Sequence, residues 1–158
     1  MTARRSTALV SADASHTGTY PNDFCASAHP SDPAAALLAL GATVRTDRRE
    51  LPLAELYRLP TEDDRKTTTL ARDELIVELD VPRPDASTYL KAMDRRRWAF
   101  ALVGVAAARF GDEVRFGLAG VAPIPWAQID GATPLPGTAY KTQILDALVK
   151  RARQAVAA

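Results

Sequence analysis

The sequence predicts an α+β protein in which a three-stranded antiparallel meander packs against a C-terminal helix. Between Thr88 and Val121, three apolar segments of strand length are separated by turn residues. A Gly-Asp pair at Gly111 and Asp112 separates the last two segments, as in a tight hairpin. After these segments, apolar residues recur at the spacing of one helix face: Ile144, Leu145, Leu148, Val149, Ala152 and Val156.

The first predicted element is a short helix. Ser31 or Asp32 can cap its N-terminus, Pro33 suits its first turn, and residues 34–40 continue it. Gly41 is placed to end it, so the start and stop signals agree.

Shorter elements are predicted between this helix and the meander. Ala42 to Arg45 forms a short strand, and Leu53 to Tyr57 forms a helical turn between Pro52 and Pro60. The clearest strand in this part runs from Glu74 to Val81. Its predicted apolar face holds Leu75, Val77, Leu79 and Val81, and its polar face holds Glu74, Glu78 and Asp80. Pro82 and Pro84 close the strand and form a linker.

The meander itself begins with a strand from Thr88 to Met93. Residues 100–110 are apolar enough for a buried strand or a buried helix, and their periodicity alone does not separate the two. The Gly-Asp turn that follows, with alternation over 114–121, favours a hairpin. The helix from Tyr140 to Val156 is expected to cover one face, with Lys150, Arg151 and Arg153 in its last turns.

Composition excludes several classes of function. The 158 residues are 47% hydrophobic and 25% charged, with a net charge of +1, so no overall field attracts nucleic acid or a membrane surface. The single cysteine, Cys25, cannot form an internal disulfide or hold a metal cluster by itself. Met1 to Val10 lacks the apolar core of a secretory signal, so a cytoplasmic location is expected.

Self-contained catalysis is not predicted. His16 and His29 have no acidic or cysteine neighbour at metal-ligand spacing. Cys25 precedes His29 by four residues without a nucleophile signature, so a buried structural thiol is favoured over a thiol enzyme. The eight glycines form neither a Walker A loop nor a GxGxxG fingerprint.

A series of short segments nevertheless resembles one known family. Residues 25–32 read CASAHPSD and residues 36–44 read ALLALGATV. They are followed by LPL at 51–53, DELI at 73–76, VP at 81–82, YLK at 89–91, Arg95, FALVGVA at 100–106, GVAP at 120–123, PW at 125–126 and YK at 140–141. In this order, the segments resemble the FAD-binding subunit of the molybdenum hydroxylases, the xanthine dehydrogenase and carbon monoxide dehydrogenase group, over about residues 20–153.

The resemblance implies an organisation and a function. After an irregular segment at 1–23, residues 24–82 would form part of the second FAD-binding subdomain. Residues 85–158 would form the flavoprotein C-terminal-like domain, the meander with its helix. In the family, electrons pass from a molybdopterin large subunit through a two-iron, two-sulfur small subunit to FAD, and then to an acceptor.

The same resemblance implies three cofactor-binding residues. Asp32 would hydrogen-bond the flavin cofactor, Ile76 would contact it through backbone or apolar atoms, and Lys91 would sit near the flavin ring, where a cation stabilises negative charge. The residues alone leave other interpretations open: Asp32 as a helix cap, Ile76 as core, and Lys91 as a solvated strand residue.

The sequence also departs from the family. The glycine-rich loop that wraps the FAD pyrophosphate, and the Gly-Gly-Asn segment after it, have no counterpart here. We therefore expect weak or no FAD affinity in the isolated chain and no activity alone. FAD binding is expected to need a separate N-terminal FAD-binding chain. The alternatives are a non-catalytic docking module and an inactive truncated fragment.

Overall fold

The computed structural model describes Cys25, residues 27–95 and residues 99–157. The irregular segment predicted at 1–23 lies outside the described residues. The chain forms two three-stranded antiparallel sheets and three helices in the described residues. In order, the elements are α1 (Asp32–Leu40), β1 (Thr43–Thr46), β2 (Glu50–Pro52), α2 (Leu53–Leu56), β3 (Ile76–Asp80), β4 (Ala86–Ala92), β5 (Val103–Phe110), β6 (Glu113–Ala119) and α3 (Ala139–Ala157).

Helix α1 has the predicted boundaries. The Ser31 hydroxyl accepts a hydrogen bond from the backbone N–H of Ala34 at 3.2 Å, so Ser31 rather than Asp32 is the N-cap. At the other end, the N–H of Gly41 donates to the carbonyl of Leu38, which satisfies one of the last free carbonyls of the helix.

The predicted meander is confirmed. Its strand order is β4-β5-β6, and both pairs are antiparallel. Phe110 lies opposite Glu113, so Gly111 and Asp112 form the two-residue turn that the sequence indicated. Phe100, however, lies before β5 and is exposed, so the buried segment is shorter than predicted.

One face of the meander carries the larger apolar side chains and packs against α3. Val103, Val105 and Leu118 of the sheet share a core with four residues that recur on one side of the helix, namely Leu145, Leu148, Ala152 and Val156. The predicted helix is therefore confirmed, as is its position on the sheet. It continues to Ala157, so Lys150, Arg151 and Arg153 lie within about two turns of its end, as expected, although none of them is in the final turn.

The opposite face of the meander carries small residues, and α1 packs on it. Ala35 and Ala39 of the helix contact the alanines of β5 and β6. At Gly117 a Cβ atom would lie 1.9 Å from the carbonyl oxygen of Ala35. The backbone of α1 can therefore approach the sheet this closely only because residue 117 has no side chain. The small residues of the sheet thus determine how closely α1 packs against it.

The other sheet has the order β2-β1-β3. Its core contains Val44 of β1, Leu51 of β2, and Leu53 and Leu56 of α2, with Leu37 and Leu38 of α1 packed against them. Helix α1 therefore contacts both sheets. The division of the chain into domains at 24–82 and 85–158 stays a prediction.

Strand β3 is confirmed, but its predicted regular alternation is not. The pairing with β1 shifts between Arg45 and Thr46, so that Ile76 lies opposite Thr46 and Leu79 lies opposite Val44. Residues three apart in β3 thus face residues two apart in β1, which is a β-bulge. The apolar residues of this segment are 42–67% exposed: Leu75, Ile76, Val77, Leu79 and Val81.

A buried carboxylate anchors the loop that leads into β3. Glu74 accepts hydrogen bonds from the hydroxyl of Thr46, the guanidinium of Arg49 and the backbone N–H of Ala71, at 2.8–3.2 Å. The Arg49 hydrogen bonds are the largest cause of a pKa lowered to about 2 for Glu74. Within the described residues, no helix is long and apolar enough to cross a membrane.

Candidate functional site

Strand alternation places two polar residues of β4 on the face that α1 covers. Tyr89 lies opposite Ala106, and Lys91 lies opposite Gly104, both on the small-residue face of β5. Leu90 between them packs on the other side, in the core with α3. The polar side chains of Tyr89 and Lys91 therefore point toward the helix.

Asp32, the first residue of α1, meets both of them. The Lys91 ammonium Nζ lies 2.6 Å from Asp32 Oδ2, and the Tyr89 hydroxyl donates to Asp32 Oδ1 at 2.6 Å. Asp32 and Lys91 are 59 positions apart in the chain, so packing of α1 on the sheet produces this contact. We call Asp32, Tyr89 and Lys91 the carboxylate cluster.

Tyr89 is a fixed hydrogen-bond donor. Burial raises the pKa of its hydroxyl, and the hydrogen bond to the Asp32 carboxylate raises it further, so the phenol stays protonated at neutral pH. Its ring has room because β5 carries glycine opposite Lys91. A Cβ on Gly104 would lie 2.2 Å from the Tyr89 hydroxyl oxygen.

The cluster keeps capacity to bind a further polar group. The Asp32 and Lys91 side chains are 33% and 22% exposed, so solvent or a ligand can approach them from one side. Each carboxylate oxygen accepts more than one hydrogen bond, and an ammonium group donates three. This arrangement can orient a hydroxyl or carbonyl of a ligand and place a positive charge beside it.

The structure distinguishes between the alternative roles of Asp32, Lys91 and Ile76. Asp32 is not the helix cap, since Ser31 fills that role. Lys91 is ion-paired rather than solvated. Ile76 is not core, since its side chain is 46% exposed, but it lies on β3 in the other sheet rather than in the carboxylate cluster. The structure thus brings together two of the three predicted residues.

His29 connects the segment before α1 to the segment that follows β6. Its backbone N–H donates to the carbonyl of Ala122, and its carbonyl accepts from the N–H of Gly120. The ring packs edge-on against Tyr57, with centroids 5.5 Å apart, and burial lowers the pKa of the imidazole. These contacts agree with a structural histidine. Among the described residues, no group of three His, Cys, Asp or Glu side chains lies close enough to hold a metal ion.

Two open grooves lie apart from the carboxylate cluster. The larger, about 400 Å³, runs between β6 and residues 127–130 and is bordered by Arg153. The smaller, about 190 Å³, lies between α1, α2 and Trp126. Neither is lined by a residue of the carboxylate cluster, whose chemistry makes it the better candidate site.

Sequence reasoning missed part of the cluster. The sequence marks Tyr89 only as part of the YLK segment at 89–91, and Gly104 only as part of the apolar segment at 100–110. The two-residue spacing of Tyr89 and Lys91 was the available signal, because it puts both on one face of a strand.

Comparisons with known proteins identify relatives. The chain is 39% identical to the aldehyde oxidoreductase FAD-binding subunit PaoB of Escherichia coli K12 over 113 aligned residues, which cover 66% of this chain and 36% of PaoB. No family model matches the chain.

Solved structures share the fold. A chain of the carbon monoxide dehydrogenase from Hydrogenophaga pseudoflava superposes with a TM-score of 0.67 at 20% identity, covering 90% of this chain and 58% of that one. A chain of the reconstituted enzyme from Oligotropha carboxidovorans gives a TM-score of 0.64 at 16% identity, with the same coverage. The chain thus spans about a third of PaoB and just over half of each carbon monoxide dehydrogenase chain.

Proposed function

Since this chain is homologous to part of the FAD-binding subunits of the molybdenum hydroxylases, we propose that it contributes one wall of an FAD site in such an assembly. A separate polypeptide supplies the rest of the site. In this role the chain takes part in electron transfer from an iron-sulfur small subunit to FAD, and the electrons originate in a molybdopterin large subunit.

The carboxylate cluster is the observation that carries the proposal. The resemblance assigned Asp32 and Lys91 to one cofactor, and the two side chains lie 2.6 Å apart on one partly exposed surface. We assign Asp32 to accept a hydrogen bond from a cofactor hydroxyl or N–H. Lys91 places its positive charge near the flavin ring. Ile76 supplies an apolar contact from β3.

The residues fit the flavin end of FAD and not its pyrophosphate. A pyrophosphate needs several backbone N–H donors at close approach, which glycine usually provides. Here the space beside three glycines of the meander is already filled by the protein, because Gly104 faces Tyr89, Gly117 faces Ala35 and Gly120 faces Ala101. Gly111, which has open space beside it, is a single glycine in a hairpin turn and cannot supply several N–H donors. The chain alone therefore binds FAD weakly or not at all.

The chemistry of the site divides between cofactor and protein. Bound FAD would supply the capacity to accept electrons from an iron-sulfur centre and pass them to a further acceptor. The protein orients the cofactor through Asp32, places the Lys91 ammonium group beside it, and uses Tyr89 to fix the carboxylate that holds the lysine. The isolated chain has no expected activity.

A docking module without FAD is the second candidate. Two observations favour it. The described residues do not offer the backbone donors that a pyrophosphate needs, and the apolar residues of β3 are exposed, so that a partner could cover them. Such a module would bind its partner subunits and leave electron transfer to them.

FAD titration separates the two candidates. Flavin absorbance and fluorescence are measured for the purified chain, for the N-terminal part of E. coli PaoB, and for the two co-expressed. By the family resemblance, that part of PaoB is the one expected to hold the glycine-rich loop. The proposal expects no FAD retention by this chain alone, and a higher FAD occupancy in the two-chain complex than in the PaoB fragment alone. Equal FAD retention by the fragment with and without this chain would support the docking module instead.

A further inference from the structure

Strand β3 carries an apolar surface that the described residues do not cover. Leu79 lies opposite Val44, which is fully buried in the sheet core, yet Leu79 itself is 42% exposed. Ile76 lies opposite Thr46, which is also buried, yet Ile76 is 46% exposed. Leu75, Val77 and Val81 of the same segment are exposed as well. The face of the sheet that is buried at Val44 and Thr46 of β1 is thus uncovered at Leu79 and Ile76 of β3.

The backbone of β3 is also at the edge of its sheet. In the order β2-β1-β3, this strand pairs with β1 on one side and is the last strand of the sheet on the other within the described ranges. An exposed edge that is also apolar is a template for pairing with another strand, and soluble monomers usually protect such edges.

We propose that β3 is the docking edge for an extended strand of a second polypeptide, one that corresponds to the part of PaoB this chain does not match. The proposal rests on the proposed function, in which that polypeptide completes the FAD site. Since the chain spans 36% of PaoB and 58% of the carbon monoxide dehydrogenase chains, these relatives contain substantial polypeptide beyond the matched part.

The acidic residues of β3 indicate which side chains a partner strand would carry. Glu78 and Asp80 lie on β3 among its apolar residues, and Glu78 accepts a hydrogen bond from Arg45 at the solvent side. A complementary strand therefore carries aliphatic residues interspersed with lysine or arginine, because opposite charges across a strand pair stabilise it and like charges destabilise it.

The same charges disfavour a second copy of this chain. In a two-fold antiparallel pairing centred on β3, Glu78 of one copy would lie opposite Glu78 of the other. Residues 1–24 of the chain itself fit less well than a separate strand, since they show no sustained two-residue alternation of apolar and polar residues. Both occupants are outcomes that the experiment separates.

The test uses the full chain and a matched pair of double variants. Val77→Lys with Leu79→Lys places two charges on β3, while Leu59→Lys with Phe100→Lys places two charges at exposed apolar residues elsewhere. Ile76 is left unchanged because it is assigned to the cofactor. Each protein is mixed without FAD with the N-terminal part of E. coli PaoB, and binding is measured by sedimentation velocity after circular dichroism has verified folding.

We expect the wild-type chain and the Leu59/Phe100 variant to bind the PaoB fragment, and the Val77/Leu79 variant to bind at least about ten-fold more weakly. Binding in this test, together with no gain in FAD occupancy in the titration described above, would leave the docking edge intact and refute the proposed function. Equal binding by both variants, or self-association of the wild-type chain through β3, would overturn the docking proposal.

Hydrogen exchange on the chain alone gives an independent check. Amides of residues 76–80 that do not bond to β1 should exchange rapidly in the wild-type chain and become protected in the complex. Protection already present in the isolated chain, and lost when residues 1–24 are deleted, would assign the edge to the N-terminal segment and overturn the proposal.

Discussion

The Tyr89 hydroxyl donates a 2.6 Å hydrogen bond to the Asp32 carboxylate, across the interface between β4 and the start of α1. This contact fixes the oxygen atoms that hold Lys91, so an aromatic residue of the sheet determines the position of a cation on the surface. The geometry of the candidate site therefore depends on how α1 packs.

Replacement of Tyr89 with phenylalanine tests this contact. Tyr89→Phe keeps the ring but removes the donor, and a partly buried carboxylate then loses a charge-assisted hydrogen bond. We expect a loss of about 1 to 2 kcal/mol in the free energy of unfolding, measured by urea denaturation. Tyr57→Phe, at a ring packed edge-on against His29, is the control and should change stability by less than about 0.5 kcal/mol. Equal effects at both positions would contradict the assignment.

Replacement of Gly104 with alanine tests the space that Tyr89 occupies. The new Cβ would lie 2.2 Å from the Tyr89 hydroxyl oxygen, so we expect Gly104→Ala to cost about 1 to 3 kcal/mol in unfolding free energy. In the Tyr89→Phe background the cost should be smaller, because the clashing oxygen is gone. A double-mutant cycle by urea denaturation measures the difference. Additive effects would mean that the ring does not sit against Gly104.

Glu74 should give the protein part of its sensitivity to acid. Its pKa is lowered from 4.5 to about 2 in the folded state, so the ionised carboxylate contributes stability that is full above its unfolded pKa. That contribution is lost as pH falls from about 5 toward 2. Glu74→Gln should lower the urea midpoint at pH 7 and reduce its decline between pH 5 and pH 3. Glu62→Gln, at an exposed position, should follow the wild type at both pH values. A Glu74→Gln midpoint that declines as steeply as the wild type would exclude this role.

Much of the fold was predictable because local signals agreed with tertiary packing. The Ser31 and Gly41 caps bounded α1, and the Gly111-Asp112 turn set the β5–β6 hairpin. Strand β2 was not predicted, since Glu50–Pro52 is only three residues long and ends in a proline. The bulge in β3 was also missed, because it arises from the pairing with β1 and leaves no periodic signature.

The candidate site was predictable only in part. Family resemblance pointed to Asp32, Ile76 and Lys91, but the ion pair between Asp32 and Lys91 depends on the small residues that let α1 approach the sheet. Size alternation in β5, with valines on one side and glycine or alanine on the other, was visible in the sequence. It indicated where a helix could pack closely, but not which helix.

FAD retention by charge-removed variants tests the central claim most directly. In the two-chain complex with the N-terminal part of PaoB, Lys91→Gln and Asp32→Asn should each weaken FAD binding by about ten-fold or more, because each removes one member of the ion pair beside the cofactor. Lys66→Gln, at an exposed lysine of the loop before β3, is the control and should bind FAD as the wild type does. FAD affinity that is the same for all four proteins would show that the carboxylate cluster is not part of a flavin site.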